Sequence, residues 1–322
     1  MTEEEPGKAA HPTPSQEPPA QRPLEPELDP PFDVIEPPAL LCPLVFSSPH
    51  SGSLYTERFL ANARLDAKTL RRSEDAFVNG LFGRVVELGA PLLSAKFPRA
   101  YLDVNREPYE LDPRMFEGRL PAFANTRSIR VAGGLGTIAR VVGESQEIYA
   151  RRLPVDEAIQ RIEQLYKPYH QTLRSLLDRA HRIFGVAVLI DCHSMPSVSL
   201  QGGTAGIVTE KAIKADFIVG DRYGTSCDAG LTDAIEYELR HLGYAVRRNK
   251  PYAGGFITEH YGNPAGHFHS IQIEVNRALY MDEKNLSPLP RFDRIAGDLM
   301  KVAAFLISAA GSLGHERPLA AE

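Results

Sequence analysis

Val186-Ala187-Val188-Leu189-Ile190 runs directly into Asp191-Cys192-His193-Ser194. Five apolar residues in a row, mostly β-branched, read as a strand buried on both faces. Such a strand belongs in the middle of an α/β sheet. It stops in a carboxylate, a thiol, an imidazole and a hydroxyl, and open α/β sheets gather ligand chemistry at the carboxyl ends of their strands. His193 sits where that rule places a functional group. Asp191 is close enough to orient its ring. A lone histidine after a strand is weak evidence, so the other strand ends have to carry matching chemistry.

Working outward to the amino end, residues 1–38 are rich in Pro, Glu and Gln and poor in apolar residues. Such a stretch buries too little surface to offset its ordering entropy, so it reads as a disordered tail. Leu40 to Ser47 is the first strand, with Pro43 marking an edge strand or a strand entry. It leads into Ser48-Pro49-His50-Ser51-Gly52, a turn that presents a second histidine. Ser73-Glu74-Asp75 reads as the cap and acidic first turn of a helix carrying Phe77, Leu81, Phe82, Val85 and Val86. A strand at 90–95 follows. Phe97 to Arg106 reads as a short strand bracketed by Arg99 and by Asn105-Arg106. Gly133 to Thr137 lacks the Lys-Ser/Thr of a P-loop and reads as a plain loop. Residues 143–184 read as helical, with Pro168 a break.

Beyond the central strand lie a short apolar piece at Ala205 to Val208, a strand at Asp216 to Val219, a helix from Asp228 to Leu242 and a short strand at Tyr244 to Arg247. Pro251 to Thr258 is a Gly-rich loop. Ser270 to Arg277 is the last strand. Its alternation sets Gln272, Glu274 and Asn276 on one face and Ile271, Ile273 and Val275 on the other. A closing helix spans 291–313. Residues 39–314 then form one domain, with 315–322 a frayed end.

The chain has 322 residues, 43% of them hydrophobic, and a net charge of −5. That is ample for a sizeable core. No Lys/Arg block suggests nucleic acid, and no apolar run approaches the roughly 20 residues of a membrane span. Three cysteines without a CxxC pair, and no apolar leader after Met1, fit a reducing cytoplasm.

The polar residues at these strand ends make a set. His50, His193 and an acid at Glu74 or Asp75 are candidate metal ligands: two imidazoles and one carboxylate, with a fourth position for water, are the ligand set of a hydrolytic zinc site. Glu274 would be the general base. Arg99 would face a developing oxyanion, and Asn105, Arg106 and Arg277 would suit a substrate carboxylate. A thiol mechanism through Cys192 is disfavoured, because alternation turns it away from His193.

Six motifs carry a resemblance: SPHSG (48–52), SEDAFVNGLF (73–82), FPRAYLDVNR (97–106), LIDCHSMP (189–196), NKPYAGGFIT (249–258) and IQIEVNR (271–277). The chain from about residue 40 to 282 resembles the N-formylglutamate amidohydrolases, which are similar to the zinc carboxypeptidases and aspartoacylases. The resemblance implies a three-layer α/β/α domain with a mixed central sheet. It implies hydrolysis of N-formyl-L-glutamate to formate and L-glutamate, a closing step of histidine breakdown, with one Zn2+; cobalt, manganese or iron would also suit such ligands. His50 and His193 match the metal histidines. The carboxypeptidase-type metal glutamate would fall at Ser53, so the acid comes from elsewhere, with Asp75 preferred over Glu74. Arg99 resembles the oxyanion arginine, Asn105-Arg106 the carboxylate clamp and Glu274 the base. The implied partner is a small N-acyl amino acid, with neither nucleic acid nor membrane. A deacylase for another N-acyl amino acid or peptide, and a silent binding protein on the same scaffold, remain open.

Overall fold

The computed structural model describes residues 25–143, 145–202, 208–212 and 214–313. Seven strands form its main sheet: β1 (Phe32–Ile35), β2 (Leu44–Ser48), β3 (Leu92–Ala95), β4 (Ala187–Met195), β5 (Phe217–Gly220), β6 (Val246–Arg248) and β7 (Phe268–Asn276). Their spatial order is β1-β3-β2-β4-β7-β5-β6. The inner run β3-β2-β4-β7 is parallel. The antiparallel pairs β1–β3 and β5–β7 flank it, which makes the sheet mixed. β4 is the central strand, buried along its whole length as its apolar run requires. β2, β4 and β7 all deliver their carboxyl ends to one edge.

Period-two alternation decides which layer each side chain joins. Val188, Ile190 and Cys192 of β4 meet Ile271, Ile273 and Val275 of β7 in one apolar cluster. Helices α1 (Val78–Phe82), α4 (Ala229–His241) and α6 (Phe292–Leu313) cover that face. The opposite face packs Val45, Leu93 and Leu189 against α2 (Val155–Arg161) and α3 (Lys167–Phe184), with the irregular segment 97–153 and α5 (Phe256–Tyr261) completing the layer. Three layers result, as the resemblance implies.

Several local expectations give way. Residues 32–35, placed within the tail, form β1: Phe32 and Val34 pack partly on the core, and the strand pairs with β3. β2 is therefore interior, and Pro43 marks its entry. Residues 97–106 are not a strand. The N–H groups of Tyr101 and Leu102 both turn back to Pro98 O, folding the segment over itself. Ser73 caps no helix; its hydroxyl bonds Leu70 O, and α1 begins only at Val78. Gln146–Glu147 and Leu153–Pro154 are short strand pieces where helix is expected. Pro168 does not break the following helix. A π-helical turn at Ile162–Tyr166 widens the hydrogen-bond ladder just ahead of it, and Pro168 enters at the first turn of α3, where its missing N–H costs little. Of the apolar piece at Ala205 to Val208, only Val208 lies within the described residues; it opens a strand paired with Val198–Gly202.

Candidate metal centre and active site

Three chain segments bring the site together. His50 lies two residues beyond the end of β2. Its carbonyl accepts the N–H of Asp75, so the two segments carrying the proposed ligands are tied through the backbone. Gly52 is needed next to it, because a Cβ there would lie 2.2 Å from Phe97 O. His193 stands on β4. Directly opposite it on β7 is Glu274, and Gln272 is opposite Asp191. All of these side chains rise from the face opposite Cys192. That thiol is fully buried in the apolar layer, and burial pushes its pKa well up, which removes it from the chemistry.

His50, Asp75 and His193 offer ligand atoms that all lie within 4.8 Å of one another. Asp75 Oδ2 is 3.4 Å from His50 Nδ1 and 2.9 Å from His193 Nδ1. Both rings thus turn the same nitrogen toward one carboxylate oxygen. A second acid stands behind each ring: Asp103 Oδ1 is 2.7 Å from His50 Nε2, and Asp191 Oδ1 is 3.0 Å from His193 Nε2. The hydrogen bond to Asp103 fixes the His50 ring and raises the basicity of its inner nitrogen. His50 Nδ1 is buried and has no hydrogen-bond partner. Asp191 Oδ1 is likewise buried without a hydrogen bond, and polar atoms left over beside a His-Asp-His set are what a cation-binding site requires, so the donor set fits a divalent metal.

Burial and these contacts set the charges within the cluster. Burial opposes charge on Asp75, but its hydrogen bond with His193 and the nearby His50 imidazole hold its carboxyl well below the usual range. Burial likewise opposes charge on His193, yet Asp191 and Asp75 raise its pKa well above that of a free imidazole. Glu274 behaves differently. Burial pushes it up to about 7; Asp75 adds to the rise, while His193, Arg99 and Arg277 oppose it. A carboxylate tuned that high can both take and return a proton near neutrality.

The remaining expected residues divide. Glu74 turns away, both oxygens on Arg71 Nε at 3.1 and 3.2 Å, so Asp75 is the acid at the cluster. Arg99 lines the cleft and donates to Asp103 Oδ2 at 2.8 Å. Arg106 also lines it, braced on Leu135 O and Asn105 O. Two others are taken up by the chain. Arg277 donates to Ser194 Oγ, Arg72 O, Glu74 O and Asp75 Oδ1, so it steadies the acid. Asn105 Oδ1 accepts the Ile257 N–H, and its Nδ2 lies 3.1 Å from His193 Nε2. Both also line the cleft. Asp103 is the residue that reading by sequence passed over. It sits inside FPRAYLDVNR, but its pairing with His50 spans 53 positions and leaves no local signal. The cluster opens on a cleft of about 800 Å³, walled also by Arg130, Arg222 and Tyr252.

The family model for N-formylglutamate amidohydrolase matches residues 42–281. The chain belongs to the N-formylglutamate amidohydrolase family. The match starts just before β2 and takes in every residue of the cluster, from His50 to Arg277. An N-formylglutamate deformylase of Pseudomonas putida is 29% identical over 280 residues, covering 85% of this chain and 94% of the relative. The Pseudomonas aeruginosa enzyme of the same name is 30% identical over 247 residues, covering 75% and 83%. The crystal structure of an N-formylglutamate amidohydrolase from Ralstonia eutropha JMP134 superposes with a TM-score of 0.77 at 36% identity, covering 88% of this chain and 98% of that one.

Proposed function

We propose that this amidohydrolase cleaves N-formyl-L-glutamate to formate and L-glutamate, with one divalent metal ion, zinc by default, held by His50, Asp75 and His193. One observation carries the reading: two imidazole Nδ1 atoms meet one Asp75 oxygen, and Glu274 stands across the strand pair from His193. The likeness to deformylases supplies the substrate.

A divalent ion at this cluster supplies Lewis-acid polarisation of the formyl carbonyl and lowers the pKa of a water to about 7. The chain's residues do the rest. Asp103 holds the His50 ring through its hydrogen bond, Asn105 and Asp191 stand behind the His193 ring, and Arg277 holds Asp75. Glu274 takes a proton from the attacking water as its oxygen bonds to the formyl carbon. It returns that proton to the glutamate nitrogen as the C–N bond breaks. Arg99 faces the charge that gathers on the carbonyl oxygen. The substrate's two carboxylates call for two cations. Arg106 is one. Arg277, which also lines the cleft, or Arg130 on the same wall provides the other.

The test is Glu274→Gln. Turnover should fall by about 10²–10⁴-fold while the metal stays bound. A variant that keeps near wild-type turnover with its metal would refute the base assignment, and protein purified without chelator and free of divalent metal would refute the centre. The cleft, at about 800 Å³, is roomy for so small a substrate and favours one second reading, a deacylase for larger N-acyl glutamates. Comparing kcat/KM for formyl, acetyl and longer acyl glutamates decides between the two. No helix among the described residues is long and apolar enough to cross a membrane. Three unpaired cysteines fit a cytoplasmic site of action, which cell fractionation would check.

A further inference from the structure

Glu274 has a neighbour that the chemistry above does not use. Gln272 lies two residues earlier on β7, so its side chain rises from the same face. It is 4% exposed and also lines the cleft. Its Nε2 donates to Glu274 Oε1 at 2.8 Å. Its own Oε1 accepts the N–H of Gly255 at 2.8 Å. The second bond settles which way round the amide sits. With the oxygen taken by a backbone N–H, only the NH₂ end can face the carboxylate. Among the described residues, none hydrogen-bonds to Glu274 Oε2.

The anchor at Gly255 is itself fixed. A Cβ at 255 would lie 2.4 Å from Asn105 Nδ2, so only glycine allows that side chain to pack against the backbone. Two residues on, the Ile257 N–H donates to Asn105 Oδ1 at 2.8 Å. The start of α5 is thus bolted down by two side-chain amides. One of them reaches Glu274, and the other reaches His193. This gives the Gly-rich stretch of NKPYAGGFIT a purpose: it supplies a rigid backbone donor at the height of the active-site floor.

We propose that Gln272 is a positioning residue for Glu274: its amide, oriented by the Gly255 N–H, pins Oε1 and leaves Oε2 to face the substrate. The inference rests on reading Glu274 as the base. A buried carboxylate without such a tether can rotate about its terminal torsion. A charge-assisted bond at this distance selects one orientation before substrate arrives.

Gln272→Met removes the tether at nearly constant size. We expect kcat to fall by about 10–100-fold, because misplacing a reacting group by an ångström costs that order. KM for N-formylglutamate, bound metal per chain and the thermal midpoint should stay near their wild-type values. In a Glu274→Gln background the same substitution should cause no further loss of residual turnover, since the tether then has no base to hold. Wild-type kcat in Gln272→Met, or a loss confined to KM, overturns the proposal; so does an additive loss in the double variant. If Gln272→Met does not fold, Gln272→Asn keeps the amide but is too short to span both bonds, and unchanged kcat in that variant overturns the proposal equally. Near wild-type turnover in Glu274→Gln refutes the base itself. Loss in that variant with full activity in Gln272→Met refutes only the positioning.

Discussion

Strands β4 and β7 show two chemistries back to back. On one face Val188, Ile190 and Cys192 lie against Ile271, Ile273 and Val275 under three helices, with 2% exposure at most. On the other, at the same height, Asp191 and His193 lie against Gln272 and Glu274 beneath a cleft. The two sets alternate along the same stretches of backbone. The dry face holds the strands rigid and in register. The polar face uses that register to set His193 opposite Glu274. Both faces are buried, so burial alone does not mark the site. What marks it is a group of buried polar atoms in which His50 Nδ1 and Asp191 Oδ1 are still unmatched.

That contrast can be broken from either side. The largest effect on turnover belongs to the polar face: His193→Ala should remove the metal and cut turnover by about 10³-fold or more, since Lewis-acid stabilisation is worth several kcal/mol. Its stability in urea should change far less. Metal content measured beside kcat checks this, and a metal-loaded, active His193→Ala would end the assignment. The dry face should respond the opposite way. Ile273→Ala should cost about 2–5 kcal/mol in denaturant unfolding, with kcat of the folded protein within a few-fold of wild type. A catalytic collapse in that variant, without loss of stability, would show that the faces are not separable. The smallest effect is expected at Cys192→Ala, about 1 kcal/mol of stability and no change in turnover. Alkylating reagents should leave the native enzyme active for the same reason.

Much of this was legible because a strand's side chains alternate with period two, and an apolar run such as 186–190 can hardly avoid a sheet centre. The same rule sorted Cys192 from His193 and Gln272 from Ile273. His50 was legible as a histidine just past a strand. What the sequence hid were partnerships made by distant backbone. Glu74 and Asp75 are adjacent acids, and the choice between them rests on Arg71 drawing one outward and Arg277 holding the other inward. Arg277 reads as a carboxylate clamp by residue type, yet two of its acceptors are the carbonyls of residues 72 and 74, about two hundred positions away. Asp103 was missed for the same reason. The segment 97–106 misled through its apolar spacing, which packs as a folded turn just as well as a strand.

The short strand β1 has a practical consequence. It borders β3 with a ladder from Phe32–Ala95 to Ile35–Leu92, and the Lys96 N–H continues the contact to Pro31 O. Clipping the chain at residue 38, where composition turns from polar to apolar, would strip that border away. The outer row of N–H and C=O groups on β3 would then stand open to any other extended chain. Such a shortened protein should self-associate on concentration, which light scattering would register, whereas cutting before residue 25 should leave it dispersed.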